Sequence, residues 1–218
     1  MIHHHPDDGL LLAQAAGTLS SGHSLLVASH VEGCGECQAR LRELESIGGA
    51  MLEQLAPAVL PSQALARTLA AIDAPAPPQA KPALRRASRP PLPQGMAWPR
   101  ALRGCSATAW RWLGPGMRWS RVTLPGDPKA NVFLLRIGAG RELPVHTHSH
   151  SELTQVLHGA FHDGRALFGA GDFDETDGDI RHQPKVLAAG ECICLASVEG
   201  RVLFEGALAR MLGSLVGM

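Results

Sequence analysis

Residues 74–97 read APAPPQAKPALRRASRPPLPQGMA, and this run constrains the chain more than any other segment. Proline fixes φ and removes an amide donor, so neither a helix nor a central strand tolerates such a density of it. No apolar periodicity is present that could bury a core. An extended, partly polyproline-like linker is therefore expected. It separates two halves of different patterning, which points to a multidomain α plus all-β protein: a small helical bundle over 1–73, the linker over 74–97 and a β-rich domain over 98–218.

Upstream of the linker, Pro6 with Asp7 and Asp8 makes a helix start, because proline suits the first turn and acids complement the helix dipole. Leu10, Leu11, Leu12, Ala15 and Ala16 follow, and Gly17 ends the segment. Ser20 or Ser21 caps a second helix that reaches His30. A third helix is expected from about Gly35 to Ala56, with Leu41, Leu44, Ile47, Met51, Leu52 and Leu55 at helical spacing and Pro57 and Pro61 as its stop. Ser62 then caps a short helix carrying Leu65, Leu69 and Ile72. Downstream of the linker the pattern changes to short apolar runs at 131–137, 153–157, 165–168, 186–187 and 192–196, broken by glycine-bearing turns. That is the pattern of an antiparallel sandwich or barrel.

Composition narrows the function classes. Lysine plus arginine equals aspartate plus glutamate, 20 against 20, so no net charge draws the chain to nucleic acid or an acidic membrane. Tyrosine is absent and aromatics are 4%, which disfavours a base-stacking surface. The RRASR run at 85–89 is a small basic patch without a reading helix, so no direct nucleic-acid contact is expected. The N-terminus has no Lys or Arg ahead of its apolar run, and Asp7 and Asp8 interrupt it, so no secretory signal is read. No apolar stretch approaches the roughly 18 residues of a membrane span. A cytoplasmic protein without membrane contact is expected, and its five cysteines are then thiols or metal thiolates rather than disulfides. Histidine is the outlying number at eleven, gathered mostly into two clusters, which directs attention to metal.

The first cluster is His30-x3-Cys34-x2-Cys37. Positions i, i+4 and i+7 share a helix face, and Gly33 and Gly35 equally allow a turn between helices; either brings one imidazole and two thiolates together. Zn2+ takes four nitrogen or sulfur ligands in a tetrahedron, so a fourth must come from elsewhere in the chain. His5, 25 residues upstream at the start of the first helix, is the choice, with His3, His4 and His23 as competitors. A redox-active CxxC beside a surface histidine is the plainer alternative. The order His5, His30, Cys34, Cys37 resembles the zinc-binding anti-sigma (ZAS) family. That resemblance implies a zinc ion held by these four residues and a helical module that sequesters an extracytoplasmic-function sigma factor. It also implies thiolates open to oxidation. Leu11, Leu12, Leu65 and Leu69 are the candidate partner contacts.

The second cluster is GRELPVHTHSHSELTQVLHG, with Gly140, His146, His148, Glu152 and Gly159 in register. On a strand His146 and His148 point to one side, and Glu152 enters from the start of the next strand. Two imidazoles and a carboxylate suit Zn2+, Fe2+, Mn2+ or Ni2+. The stretch resembles the first motif of cupins, which implies a β-barrel of jelly-roll type. The second cupin motif is matched more loosely by GDFDETDGDIRHQP, from which His182 is assigned as the fourth ligand of a second divalent ion, taken as Zn2+. His150 has the parity of His148, but a turn between the strands would send it elsewhere. His158 and His162 read as hairpin residues, and the acidic run Asp172, Asp174, Glu175, Asp177 and Asp179 as a solvated loop. Cys192 and Cys194 share a strand face as small core residues, with an oxidisable pair near the metal as the alternative.

A ZAS-like module followed by a cupin resembles the ChrR type of anti-sigma factor over essentially the whole chain. The resemblance implies a sensor. The helical module binds the sigma factor, and the cupin, with a small oxidised ligand, releases it under singlet-oxygen or peroxide-like stress. The competing reading is a metal-dependent cupin dioxygenase or isomerase with a helical regulatory or oligomerisation arm.

Overall fold

Four helices open the chain: α1 (Asp8–Ala15), α2 (Ser21–Val31), α3 (Gly35–Glu53) and α4 (Ala64–Asp73). The computed structural model describes residues 1–75 and 89–205, so most of the expected linker, Arg85 and Arg86 included, and the last thirteen positions lie outside the described residues. The Asp7 carboxylate caps α1 by accepting from the Leu10 amide at 2.7 Å. Ser20 does the same for α2 toward His23. The Cys34 sulfur occupies the N-cap of α3 and accepts from the Cys37 amide. α4 departs from expectation: Gln63, not Ser62, precedes it, without a side-chain cap.

The strands are β1 (Ser106–Ala107), β2 (Arg111–Gly114), β3 (Met117–Thr123), β4 (Val132–Ile137), β5 (His146–His148), β6 (Glu152–His158), β7 (Ala160–His162), β8 (Leu167–Gly169), β9 (Phe173–Thr176), β10 (Lys185–Val186), β11 (Cys192–Val198) and β12 (Val202–Phe204). The large sheet runs β1-β3-β4-β11-β6-β9 with β2 on β3. A three-stranded sheet β10-β7-β8 and the pair β12-β5 complete the jelly-roll, and every ladder is antiparallel.

The central strands are buried on both faces. In β4, Val132 and Leu134 pack in one core with Leu26 and Val27 of α2, while Phe133, Leu135 and Ile137 pack inside the barrel with Val156, Phe161 and Cys194. All seven residues of β11 are buried. A sheet covered on both sides needs apolar residues at consecutive positions, which is why 132–135 and 192–196 read as unbroken runs instead of alternating. The cover on the outer face is α2. It lies close because Gly22 has no side chain: a Cβ there would meet the Ser197 hydroxyl and stand 3.1 Å from the Val132 methyl.

Gly159, at the β6–β7 turn, has φ +73°, and an added Cβ would be driven into the backbone carbonyl of Glu191. Gly159→Ala is therefore expected to destabilise the β domain by about 2–4 kcal/mol, through positive-φ strain and a backbone clash together. Urea unfolding followed by tryptophan fluorescence measures this. A loss under 0.5 kcal/mol would contradict the argument.

Candidate metal centres

His5, His30, Cys34 and Cys37 offer ligand atoms that all lie within 4.8 Å of one another. His5 precedes α1, His30 ends α2, Cys34 caps α3 and Cys37 sits in its first turn, so one point gathers three helix ends. Cys34 Sγ is 3.3 Å and Cys37 Sγ 3.4 Å from His5 Nδ1, and Cys37 Sγ is 3.3 Å from His30 Nε2. A tetrahedron with zinc–sulfur and zinc–nitrogen bonds of ordinary length has edges of about 3.5 Å. The spacing is thus compatible with zinc.

The protonation states fit as well. His30 Nδ1 donates to the Gly171 carbonyl at 3.0 Å, which leaves Nε2 as the lone-pair nitrogen toward the sulfurs. Burial drives the His30 pKa down to about 4, against the pull of that carbonyl, so the imidazole is neutral. Burial, followed by the neighbouring Cys34, pushes the Cys37 thiol up to about 12. A thiolate here needs a cation beside it, and a divalent ion supplies that charge.

Two of the competitors for the fourth position, His23 and His4, have rings engaged elsewhere. His23 is buried, 3.4 Å from a Glu199 carboxylate oxygen, and the His4 ring contacts the Leu167 carbonyl and lies on Phe168. The His3 amide donates to Asp172.

The second cluster is His146, His148, Glu152 and His182, all buried. His146 and His148 are the first and last residues of the three-residue β5, and Glu152 begins β6. His182 comes from the loop before β10, paired through its backbone with His146. His182 Nε2 is 3.0 Å from His146 Nε2 and 3.3 Å from His148 Nε2; His148 Nε2 is 3.0 Å from a Glu152 oxygen. His146 Nδ1 donates to the Pro144 carbonyl, so its Nε2 carries a lone pair toward the other rings. Burial lowers the His146 pKa and takes that of His182 to about 4. Burial opposes ionisation of Glu152, but the His148 hydrogen bond and the three imidazoles outweigh it and hold the carboxyl below its usual range. Three imidazoles and one carboxylate form a donor set compatible with a divalent cation.

Beside this cluster lies a cavity of about 90 Å³, walled by Met117, Phe133, Leu135, Phe161, Val202 and Phe204, with His146, Glu152, His182 and Cys194 also on its wall. Cys192 and Cys194 are both buried, their sulfurs 3.6 Å apart. His150 is exposed and contacts the Ser149 hydroxyl, away from the cluster.

Two expectations need correction. The acidic run is not a solvated loop throughout. Asp172 and Asp174 are buried because the run contains β9, whose residues are packed between the barrel and the N-terminal segment; Asp177 and Asp179 are exposed. Leu11 is a core residue, 3% exposed, and not a partner contact.

One group has no signal in the motifs. Arg165 bonds both the buried Asp163 and Asp174, and Asp163 lies 3.9 Å from His182 Nδ1. Asp163, Asp174 and His182 could hold a cation by spacing alone, but the guanidinium already occupies the place between the carboxylates. Burial lifts Asp174 to about 7 in spite of Arg165, with Asp163 and Glu152 adding repulsion.

Residues 99–199 match the family described as the ChrR Cupin-like domain. The chain is 40% identical over 210 residues to the anti-sigma-E factor ChrR of Cereibacter sphaeroides, covering 96% of each chain. Among solved structures it is similar to Rhodobacter sphaeroides SigE in complex with the anti-sigma ChrR. That likeness has a TM-score of 0.71 and 38% identity over 91% of this chain and all of the other.

Proposed function

The chain belongs to the ChrR family of anti-sigma factors, and from that premise we propose that it captures an extracytoplasmic-function sigma factor with its helices and releases it on an oxidative signal read by the cupin. It is a regulator and not an enzyme. Among the described residues no helix is long and apolar enough to cross a membrane. Residues 1–73 form the zinc-binding capture domain in this reading, 74–97 the linker and 98–218 the sensor, working in the cytoplasm without direct nucleic-acid contact. Of the RRASR run, Arg89 is described, and it donates to the Leu102 carbonyl and lies over the Trp98 ring.

The observation that carries the capture half is an apolar face left exposed among the described residues. Ile47, Met51 and Leu52 on the last turns of α3, Leu55, Val59 and Leu60 after it, and Leu65, Leu69 and Ile72 on α4 are each more than half exposed. No residue of α4 is buried. A ten-residue helix is marginal in water by itself, and an apolar surface of this extent on a folded chain marks a protein contact. Leu12, Leu65 and Leu69 remain contact candidates.

His5, His30, Cys34 and Cys37 hold Zn2+, which ties three helix ends into one clamp. His146, His148, Glu152 and His182 hold a second divalent ion, taken as Zn2+. When bound, these ions supply charge that keeps the thiolates and the buried carboxylate ionised. Pro144 and Gly171 hold His146 and His30, respectively, in one tautomer through their carbonyls. The apolar cavity suits a small oxidised molecule, such as a product of singlet-oxygen or peroxide chemistry, whose polar end faces the metal ligands. The signal must favour the released arrangement by a few kcal/mol to shift the population.

Co-expression with a sigma factor encoded beside this gene, followed by co-purification and metal analysis, tests the reading; a one-to-one complex with about two ions per chain is expected. Leu65→Asp with Leu69→Asp is expected to weaken that complex about 10²- to 10³-fold, as loss of two anchors at about 2 kcal/mol each implies. Metal content should stay unchanged. An affinity within threefold of the parent would remove α4 from the interface.

A further inference from the structure

We infer that the β8–β9 turn of the cupin, Gly171–Asp172–Phe173, is the outer shell of the helical metal site and positions two of its four ligands. This rests on the reading of that site as a zinc centre. His30 is placed by the Gly171 carbonyl, which accepts its Nδ1 proton, and by the Phe173 ring, 5.5 Å away edge to face. His5 is placed through the segment on either side of it. The Asp172 carboxylate accepts from the His3 amide at 2.6 Å and the His4 amide at 3.1 Å. Its other oxygen accepts from Gly169 at 2.8 Å, and the Phe173 amide donates to the His4 carbonyl at 3.0 Å. Two residues beyond His5, the Asp7 amide donates to a Glu175 carboxylate oxygen at 2.8 Å. Residues 3–7 are therefore strapped along β9 before α1 begins.

Asp172 is a positioning residue: it is 2% exposed and touches neither sulfur nor ligating nitrogen. Its burial disfavours the anion, yet the amides of His3, Gly169 and His4 together keep the carboxyl below its usual range. It is thus a charged acceptor for chain donors that have little other outlet.

The same strand touches the other centre. Asp174, between Phe173 and Glu175, lines the cupin cavity and bonds Arg165 at 2.7 Å. β9 alternates by strand parity between the two sites, with Phe173 and Glu175 serving the N-terminal segment and Asp174 serving the cavity. A displacement of β9 by a change in the cavity would loosen His5 and His30 together. By linkage, occupancy of the helical site would in turn hold β9 in place.

The test measures zinc transfer from the full chain to a coloured chelator, 4-(2-pyridylazo)resorcinol. Each chain, parent or variant, is also measured with Cys34→Ser and Cys37→Ser added; that trace reads the cupin alone, and its subtraction leaves the helical site. Asp172→Asn is expected to speed release about 10-fold or more, the range for loss of an outer-shell partner. Release from the cupin should stay at the parent rate, and amide exchange should rise at residues 3–8. Glu175→Ala, which removes a half-buried group and spares the turn, is expected to give a smaller acceleration and serves if Asp172→Asn does not fold. Release within twofold of the parent in a folded variant, or equal acceleration at both sites, would overturn the inference. A parent chain with no zinc at Cys34 and Cys37 would instead overturn the reading on which it rests.

Discussion

Replacing Cys34 and Cys37 together by serine is expected to leave one ion per chain in place of two, to loosen α1 and α3, and to abolish capture of the sigma factor. The helical half has little else to hold it. Among its described apolar side chains only Pro6, Leu11, Leu26, Val27 and the two cysteines are buried, and Leu26 and Val27 belong to α2, which the β sheet retains. Structural zinc in modules of this kind contributes an apparent ~10–16 kcal/mol, against about 1.5–3 kcal/mol for each fully buried aliphatic side chain. Serine makes the substitution informative. Its hydroxyl keeps an acceptor at the N-cap of α3, where Cys34 now accepts from the Cys37 amide, so the helix start is preserved and only the metal is lost. Elemental analysis, far-ultraviolet circular dichroism and co-purification are the readouts. Two ions per chain, or an unchanged Kd for the sigma factor, would remove zinc from the account of the clamp.

The second large effect is expected at the other centre. His146→Ala with His148→Ala should empty the cupin of its ion and silence the oxidative response, while the sigma factor is still bound. Removing both imidazoles leaves the buried Glu152 without its 3.0 Å partner His148, and an uncompensated buried charge costs about 3–5 kcal/mol. The barrel interior is therefore expected to soften. The exposed face of α3 and α4 lies on other elements, so capture should persist. A sigma-dependent reporter measures the response: it should stay at its resting level under singlet oxygen or an organic peroxide in this variant and rise in the parent. A normal rise would end the sensing half of the proposal.

Much of the site could be read from residue order, because metal chemistry restricts residue type so narrowly. His30, Cys34 and Cys37 are local, and the short turn between α2 and α3 brings them together; His146 and His148 share a face by strand parity. His5 and His182 are distant from their clusters: His5 is chosen for its place at the start of the first helix, among other histidines, and His182 through the resemblance to the second cupin motif. The acidic run shows where local reading fails. Asp172 and Asp174 look like Asp177 and Asp179 in sequence, yet the first pair is buried because β9 lies between the barrel and residues 3–7. Likewise Leu11 and Leu12 are equivalent letters in one helix, and packing alone makes the first core and leaves the second 54% exposed.

Sequence by itself marked out the two clusters of candidate ligands, the helical and strand-rich halves and the proline-rich stretch between them. Those depend on donor chemistry, periodicity and backbone restriction, all of which act over a few residues. Tertiary structure decided that α2 covers the outer face of the large sheet, that β9 touches both centres, and that α4 buries nothing. The first two are contacts between segments up to about 170 positions apart, as in the 169-residue separation of His3 and Asp172, and the third is a surface that no described segment covers. Such contacts depend on which surfaces meet after folding, and no local pattern in the chain encodes that choice.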